Sequence, residues 1–335
     1  MPTVTVVIPL YNKVREVERA VRSVLRQTER DFTLIVVDDG STDGSVEKVL
    51  AIPDGRITVL RQENRGVSSA RNRGIAQAQT EFVAFLDADD EWLPDFLSET
   101  LALARSHPKA LICATAYAMM TPEGDLVRPR LVGIPDNPEG GILRDFFASA
   151  YHGDCPLCAS NVLVRKEAFV RVGGFPEGEK IGEDWDMWAR IALEGQIAYV
   201  PRISAVYHLE ATNRAMDRLR HTGADTCLVR TLRAALREKR FAYTTEKSLK
   251  AFLSEQLVQL ARAALVRGDG RRARELLSEA QGYGVIRRHW LRLRMRSYLG
   301  ARLNRLFDAC SEIERRLRRK RRAARKRSLT LPGGR

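Results

Sequence analysis

The chain of 335 residues carries 56 Lys and Arg against 42 Asp and Glu, a formal net charge of +14. Residues 1–210 hold 23 basic and 31 acidic side chains and residues 211–335 hold 33 and 11, so an acidic part (−8) precedes a basic one (+22). The length suits one α/β domain of about 210 residues with a helical appendage, the odd set of five cysteines excludes a disulfide framework and argues for a reducing compartment, and no stretch approaches the roughly 18 consecutive apolar residues of a membrane span.

The first apolar run, Val4-Thr-Val-Val-Ile-Pro9, is too short for a signal peptide and predicts a strand buried on both faces. Val14, Val17, Val21, Val24 and Leu25 follow at helical spacing. The turn between them, Pro9-Leu-Tyr11-Asn12-Lys13, lacks the Gly-x-Gly-x-x-Gly of a dinucleotide fold, and no Walker A sequence occurs. A nucleotide would be handled here by side chains and a metal rather than by a glycine cradle. Phe32-Thr-Leu-Ile-Val-Val-Asp38 predicts a second buried strand that stops on Asp38-Asp39-Gly40-Ser41. Val46 to Leu50 predicts a helix, Ile57 to Leu60 a strand, Gly66 to Ala78 a helix and Phe82 to Leu86 a strand. This alternation implies an α/β fold, a Rossmann-like and mostly parallel sheet flanked by helices.

The fourth strand runs directly into Asp87-Ala-Asp89-Asp90, a second acidic strand end with an Asp-x-Asp motif. Three carboxylates at the end of a buried strand are costly unless something positive binds. In open α/β sheets ligands collect beyond the carboxyl ends of strands, and clustered carboxylates suit a hard divalent cation that also touches diphosphate oxygens. The alternative is that Asp89 or Asp90 caps a helix starting near Trp92-Leu93-Pro94.

Thr121 to Gly141, rich in Pro and Gly, predicts a surface loop. Cys155-Pro-Leu-Cys158 with His152 nearby could hold zinc, but a structural zinc site takes four protein ligands and no second Cys-x-x-Cys exists. Ala159 to Arg165 predicts a strand and Lys166 to Val172 a short helix. Glu183-Asp184-Trp185-Asp186 opens an amphipathic helix, a position that favours carboxylates for helix-dipole reasons alone. Val206-Tyr207-His208 ends the last strand, after which the pattern becomes helical: Leu249, Phe252, Leu253, Leu257 and Leu260 share a face, and Arg271 to Ala280 forms another helix. The predicted domains are 1–210, a helical region 211–314, and a basic, disordered tail 315–335.

Five ordered motifs carry a family resemblance: Val6-Val-Ile-Pro-Leu-Tyr-Asn12, Val36-Val-Asp-Asp-Gly-Ser-Thr-Asp43, Asn64-Arg-Gly-Val-Ser-Ser-Ala-Arg-Asn-Arg-Gly74, Asp87-Ala-Asp-Asp90 and Gly182-Glu-Asp-Trp-Asp186. Together they resemble the family 2 glycosyltransferases of the GT-A fold, over about residues 1 to 210. The resemblance implies an inverting transferase that moves a sugar from a nucleotide diphosphate donor, a UDP-sugar by expectation, to a hydroxyl of a glycan or lipid-linked acceptor. Cell-envelope polysaccharide biosynthesis is the expected setting.

Residue by residue, the resemblance makes Pro9 and Tyr11 the wall around the base, with packing as the alternative for the Tyr11 ring. Asp39 would accept from the base imide N–H. Arg71 would face the base or phosphates, or else be a solvated helix arginine in an i,i+4 pair. Asp87 would hold the ribose and Asp89 would bind Mg²⁺ or Mn²⁺ bridging the diphosphate. Asp184 would be the general base, with Glu183 its neighbour in the acidic pair. His208 stands where some GT-A enzymes bring a further metal or diphosphate ligand, although Glu210 occupies a place where a histidine is expected; an ordinary structural histidine is the alternative.

Arg315 to Arg327 suits an anionic surface, either lipid or nucleic acid; without interleaved aromatics, peripheral docking at the inner face of the membrane is the preferred reading and the expected location is cytoplasmic. A different class remains open, a catalytically inactive nucleotide- or nucleic-acid-binding protein on the same fold. A nucleotidyltransferase is disfavoured, because the Gly-rich basic loop after the first strand is absent.

Overall fold

The computed structural model describes residues 3–179, 181–210, 225–284 and 289–298. The expected tail, 315–335, lies outside them. In chain order the elements are β1 (Val4–Leu10), α1 (Val17–Leu25), β2 (Phe32–Asp38), α2 (Ser45–Leu50), β3 (Ile57–Arg61), α3 (Val67–Gln77), β4 (Phe82–Phe85), β5 (Glu91–Trp92), α4 (Phe96–Ser106), β6 (Ala110–Met120), β7 (Leu126–Val127), β8 (Gly141–Ile142), α5 (Phe146–His152), β9 (Val162–Arg165), α6 (Lys166–Val172), α7 (Glu183–Glu194), β10 (Gln196–His208), α8 (Cys227–Arg237), α9 (Glu246–Arg267), α10 (Gly270–Gly282) and α11 (His289–Arg296). The strands form one sheet in the order β3-β2-β1-β4-β9-β6-β10-β5, with β7 on β6 and β8 on β10.

Parallel pairing joins β3, β2, β1 and β4, as well as β6 and β10; β9 runs antiparallel between β4 and β6, and β5 runs antiparallel to β10. The α/β reading with a mostly parallel sheet holds. Every residue of β1 is buried, as a strand covered on both faces requires. On α1 the buried Val17, Ala20, Val21 and Val24 form one stripe toward this sheet. On the other side α3 approaches closely at Gly74, where a Cβ would collide with the Val7 side chain. A glycine inside that helix, costly for propensity, is explained by this contact.

The chain leaves β1 between β2 and β4, to which β1 pairs on either side. Sheet order reverses there, and the carboxyl ends of β1, β2 and β4, which run parallel, lie along one edge of the sheet, where ligands of open α/β sheets collect. The sequence did not resolve β6, whose Ala and Thr content gives no clear period, nor α5, whose N-cap Asp145 accepts from Ala148 N at 3.0 Å. The expected helix near Trp92 starts later, because Trp92 belongs to β5 and α4 begins at Phe96.

The described residues divide into two compact units, residues 3–210 with 225–253, and 254–284 with 289–298. α8 and the start of α9 belong with the first unit although they lie past the change of charge at residue 210. Phe252 packs against Phe146, Phe147 and Trp185, and Thr231 donates to Asp186 at 2.6 Å. In the second unit α9, α10 and α11 form a helical group around Leu257, Ala261, Leu276 and Leu277, all buried. Among the described residues no helix is long and apolar enough to cross a membrane.

Candidate active site

The turn after β1 is laced to the turn after β2. Asn12, in the left-handed region at φ 50°, donates its N–H to Ser41 Oγ (3.0 Å) and accepts from Thr42 N (2.9 Å). Lys13 N donates to Ser45 Oγ (2.8 Å) and Val14 N to Asp43 Oδ2 (2.9 Å), while Asp38 Oδ1 accepts from Ser41 N (2.9 Å). Pro9 is buried and Tyr11 is exposed at the rim, so its ring can lie against a planar ligand. Asp39 is buried and accepts from Gln62 Nε2, Arg65 N and Gly66 N, each at 2.8 Å. It fixes the loop that launches α3, and one of its four lone-pair directions is left for a further donor.

The three acids just past β4, Asp87, Asp89 and Asp90, divide the work. Asp87 Oδ1 accepts from Arg71 Nη2 at 2.7 Å. Asp89 Oδ2 accepts from Lys13 Nζ at 2.7 Å, and its backbone carbonyl accepts from Arg19 Nη2 at 2.5 Å. Burial and the nearby Asp87 raise the Asp89 carboxyl above its ordinary range, with Lys13 opposing them. Asp90 is buried and accepts from Ser160 Oγ (2.5 Å) and His208 N (3.1 Å), and burial pushes it up further. Neither Asp89 nor Asp90 caps a helix: the N-cap of α4 is Asp95. Ser160→Ala removes a donor from a buried carboxyl, and the unfolding free energy in a urea titration is expected to fall by about 1–3 kcal/mol; an unchanged midpoint and slope would show that Asp90 does not depend on it.

Arg71 is not a solvated helix arginine: the side chain is buried, and its guanidinium pairs with two carboxylates, Asp87 at 2.7 Å and Glu183 Oε1 at 3.0 Å. Its guanidinium carbon also lies 5.2 Å from the centroid of the Phe175 ring, which packs edge-on against Phe85 and Trp188. Arg71 thus joins the acidic end of β4 to the first turn of α7.

Gly182 precedes that turn at φ 79°, a left-handed cap that swings the chain into α7. The three acids that follow are used differently. Glu183 pairs with Arg71, and Asp186 pairs with Arg190 Nε (2.8 Å) and Thr231 Oγ1 (2.6 Å). Asp184, half-buried, accepts from Trp185 N (2.8 Å), and among the described residues no cationic side chain hydrogen-bonds it. Burial first and Glu183 second push its carboxyl up to about 7, with Arg71 opposing them. A carboxylate with that affinity for a proton is a competent base at neutral pH.

His208 is buried with its ring between two carboxylates, Nδ1 at 2.7 Å from Glu210 Oε1 and Nε2 at 3.6 Å from Glu91 Oε1. These acids raise its pKa against the effect of burial. Glu210, standing where a histidine was expected, is thus an acceptor for His208. Cys155 and Cys158 are free thiols, and burial pushes Cys155 up to about 12, which disfavours the thiolate that zinc requires. Among the described residues no group of three or more His, Cys, Asp and Glu side chains converges as a metal cage. Asp87 and Asp89 nevertheless each keep one oxygen outside the ion pairs with Arg71 and Lys13. Two hard carboxylates with substrate phosphates completing the shell are the donor set Mg²⁺ ordinarily takes, so the residues fit such an ion.

The sheet order and flanking helices are those of the GT-A fold, which the solved structures named below share. The chain belongs to Glycosyl transferase family 2, whose family model matches residues 5–172. It is 30% identical over 237 residues to the succinoglycan biosynthesis protein ExoO of Rhizobium meliloti, covering 67% of this chain and 66% of that protein. An uncharacterized glycosyltransferase of Rickettsia conorii is 29% identical over 217 residues, covering 64% of this chain; the match spans 34% of that protein, about a third of its length. Among solved structures, S. aureus TarS 1–349 in complex with UDP-GlcNAc superposes with a TM-score of 0.61 at 17% identity, covering 88% of this chain and 89% of that one. The mannosyltransferase PcManGT from Pyrobaculum calidifontis, in complex with GDP-Man and Mn2+, gives 0.55 at 19% identity, covering 92% and 88%. At these identities the two structures speak for the fold.

Proposed function

We propose that the chain moves a sugar, with inversion, from a nucleoside diphosphate donor to a hydroxyl of a glycan or lipid-linked acceptor, in envelope polysaccharide biosynthesis. The observation that carries the reading is Arg71 bridging Asp87 to Glu183, which sets Asp184 beside the donor-side carboxylates. Tyr11 and Pro9 flank the base, Asp39 offers its remaining lone pair to an imide N–H, and Asp87 holds the ribose. That acceptor favours uracil or thymine, and with uracil the donor is a UDP-sugar. Asp89, with Asp87 beside it, would hold Mg²⁺ or Mn²⁺, which when bound supplies positive charge against the departing diphosphate. His208, joined to this corner through its backbone bond to Asp90, is proposed as a further ligand on the same side.

Asp184 takes the proton of the acceptor hydroxyl. The acceptor oxygen then forms its bond to the anomeric carbon on the face opposite the leaving group, and the bond to the diphosphate oxygen breaks with its electron pair. One displacement of this kind inverts the centre and needs no covalent enzyme intermediate.

The test is a panel of UDP-, GDP- and dTDP-sugars with Mn²⁺, scored for donor hydrolysis and for protection against melting. A UDP-sugar is expected to give the largest effect on both; equal, negligible effects across the panel would reject donor binding. Asp89→Ala is expected to weaken Mn²⁺-dependent nucleotide binding, read by calorimetry, by at least the roughly tenfold that removal of a mere outer-shell partner of a metal ligand ordinarily costs. Unchanged affinity would remove Asp89 from the donor site.

A further inference from the structure

The turn that follows α6, residues 173–175, carries no group assigned to donor or acceptor, yet side chains from both helices of the site hold it. From α3, Asn72 meets Phe175 as a paired strand would: Oδ1 accepts from Phe175 N at 2.7 Å and Nδ2 donates to Phe175 O at 2.9 Å, with Glu177 Oε1 a second acceptor at 3.2 Å. Gly174 makes room for this amide, since a Cβ there would stand 2.5 Å from Asn72 Oδ1. From α7, Arg190 donates to Val172 O at 2.6 Å and to Gly174 O at 2.9 Å, while its Nε donates to Asp186 at 2.8 Å. The turn so fixed buries Phe175, whose ring meets those of Phe85 and Trp188 edge-on at 5.3 and 5.7 Å. It also presents that ring to Arg71. Arg71 Nη1 and Nη2 go to Glu183 and Asp87, whereas Nε is buried and has no hydrogen-bond partner among the described residues. The Phe175 ring, 5.2 Å from the guanidinium carbon, is the attraction left to that side of the cation.

Resting on the transferase reading, we propose that Asn72 is a positioning residue for sugar transfer: by clamping Phe175 it keeps the ring against the Arg71 guanidinium, and Arg71 in turn keeps the first turn of α7, with Asp184, at its distance from Asp87. Asn72 directly follows Arg71 on α3, and Arg190 reaches the same turn from the helix that bears Asp184. A single turn thus joins the two helices that Arg71 bridges, and the amide of Asn72 spends both donor hydrogens and its acceptor on that turn and on Glu177. An asparagine that served packing alone would leave Arg71 unmoved by its loss.

The test uses the full-length protein and two readouts. In proton–nitrogen correlation spectra of the arginine side chains, the Arg71 Nε–H signal is identified by its absence from Arg71→Lys. The ring current of Phe175 is expected to set it apart from the other arginine signals, and in Asn72→Ala it is expected to move toward them. In sugar transfer, Asn72→Ala is expected to lose kcat by about 10- to 10²-fold, the scale of a misplacement near 1 Å, while nucleotide affinity measured by calorimetry stays close to that of the wild type. Phe175→Leu keeps the backbone bonds to Asn72 and removes only the ring, so it is expected to reproduce both changes, and it decides the matter if Asn72→Ala does not fold. The double variant is expected to transfer no more slowly than the slower single one, because both substitutions act through Arg71. An unmoved Arg71 signal would overturn the proposal, as would an unchanged kcat in a variant whose melt alone has fallen, or losses that multiply in the double variant. The signal needs no turnover: if none of the proteins transfers sugar, the transferase reading falls, and the spectrum still decides whether Asn72 holds Arg71.

Discussion

Asp184→Asn is expected to lower the rate of sugar transfer by about 10²–10⁴-fold, the usual contribution of a positioned general base, while nucleotide affinity stays close to that of the wild type. The substitution keeps shape and the bond from Trp185 N but removes the carboxylate proposed to take the acceptor proton. The other two acids of the turn are committed to Arg71 and to Arg190 with Thr231, so neither is placed to substitute for it. Product formation measured beside calorimetric donor binding separates the two functions, and full transfer by the variant would remove Asp184 from the chemistry. A stability signature accompanies the loss. With its carboxyl raised to about 7 from an ordinary value of 3.8, Asp184 keeps a proton in the folded state that the unfolded chain releases. Stability from this group is therefore present below the unfolded value and is lost as pH rises through the folded one. Asparagine never ionises, so Asp184→Asn should melt higher than the wild type above neutral pH, by an amount on the order of 1 kcal/mol or more. An acidic residue kept at a cost to stability is the pattern expected of a functional group.

Arg71→Met is expected to cost about 3–5 kcal/mol of stability, the usual penalty for leaving one side of a buried ion pair without its partner. Asp87 and Glu183 would both face a methionine where each now accepts a guanidinium hydrogen bond. Transfer should fall with it, because Arg71 ties the donor side to α7. Arg71→Lys should recover only part of either loss, since one ammonium lacks the planar fork that meets both carboxylates at once. Where Arg71→Met folds, the pH dependence of transfer should move to higher pH, because it removes the charge that opposes burial and Glu183 in setting the Asp184 carboxyl, whereas Arg71→Lys keeps a cation there. Denaturant melts of both variants and a pH profile of the methionine variant check these statements; a lysine variant with wild-type stability, or a methionine variant with the wild-type profile, would show that the bridge is incidental.

The parts of this protein that show in its sequence are those governed by local rules. β1, β2 and β4 read as buried strands because strands covered on both faces are nearly continuous apolar runs, and Asp39, Asp87 and Asp89 read as a site because acids at the ends of such runs are out of place structurally. The motif around Arg71 marked it as a site residue but did not reveal what it pairs with. Its partners lie 16 and 112 positions away, and nothing in the spacing of α3 reveals a guanidinium aimed inward between them. Asp90 is similar: its neighbours Ser160 and His208 are 70 and 118 residues distant, so a local reading offered a helix cap instead. Lys13 and Arg19 carried no signal beyond ordinary surface cations, although they reach Asp89 at its carboxylate and its carbonyl. β6 and β10 pair in parallel near the far side of the sheet, and β6 mixes Ala, Thr and Met in a way that suits strand and helix alike.

The most direct measurement is the pH dependence of transfer by the wild-type enzyme at saturating donor and acceptor, over about pH 5 to 9. A raised Asp184 acting as the base predicts a rate that climbs with a slope of about one and bends over near 7. A rate that is flat across that interval would contradict it.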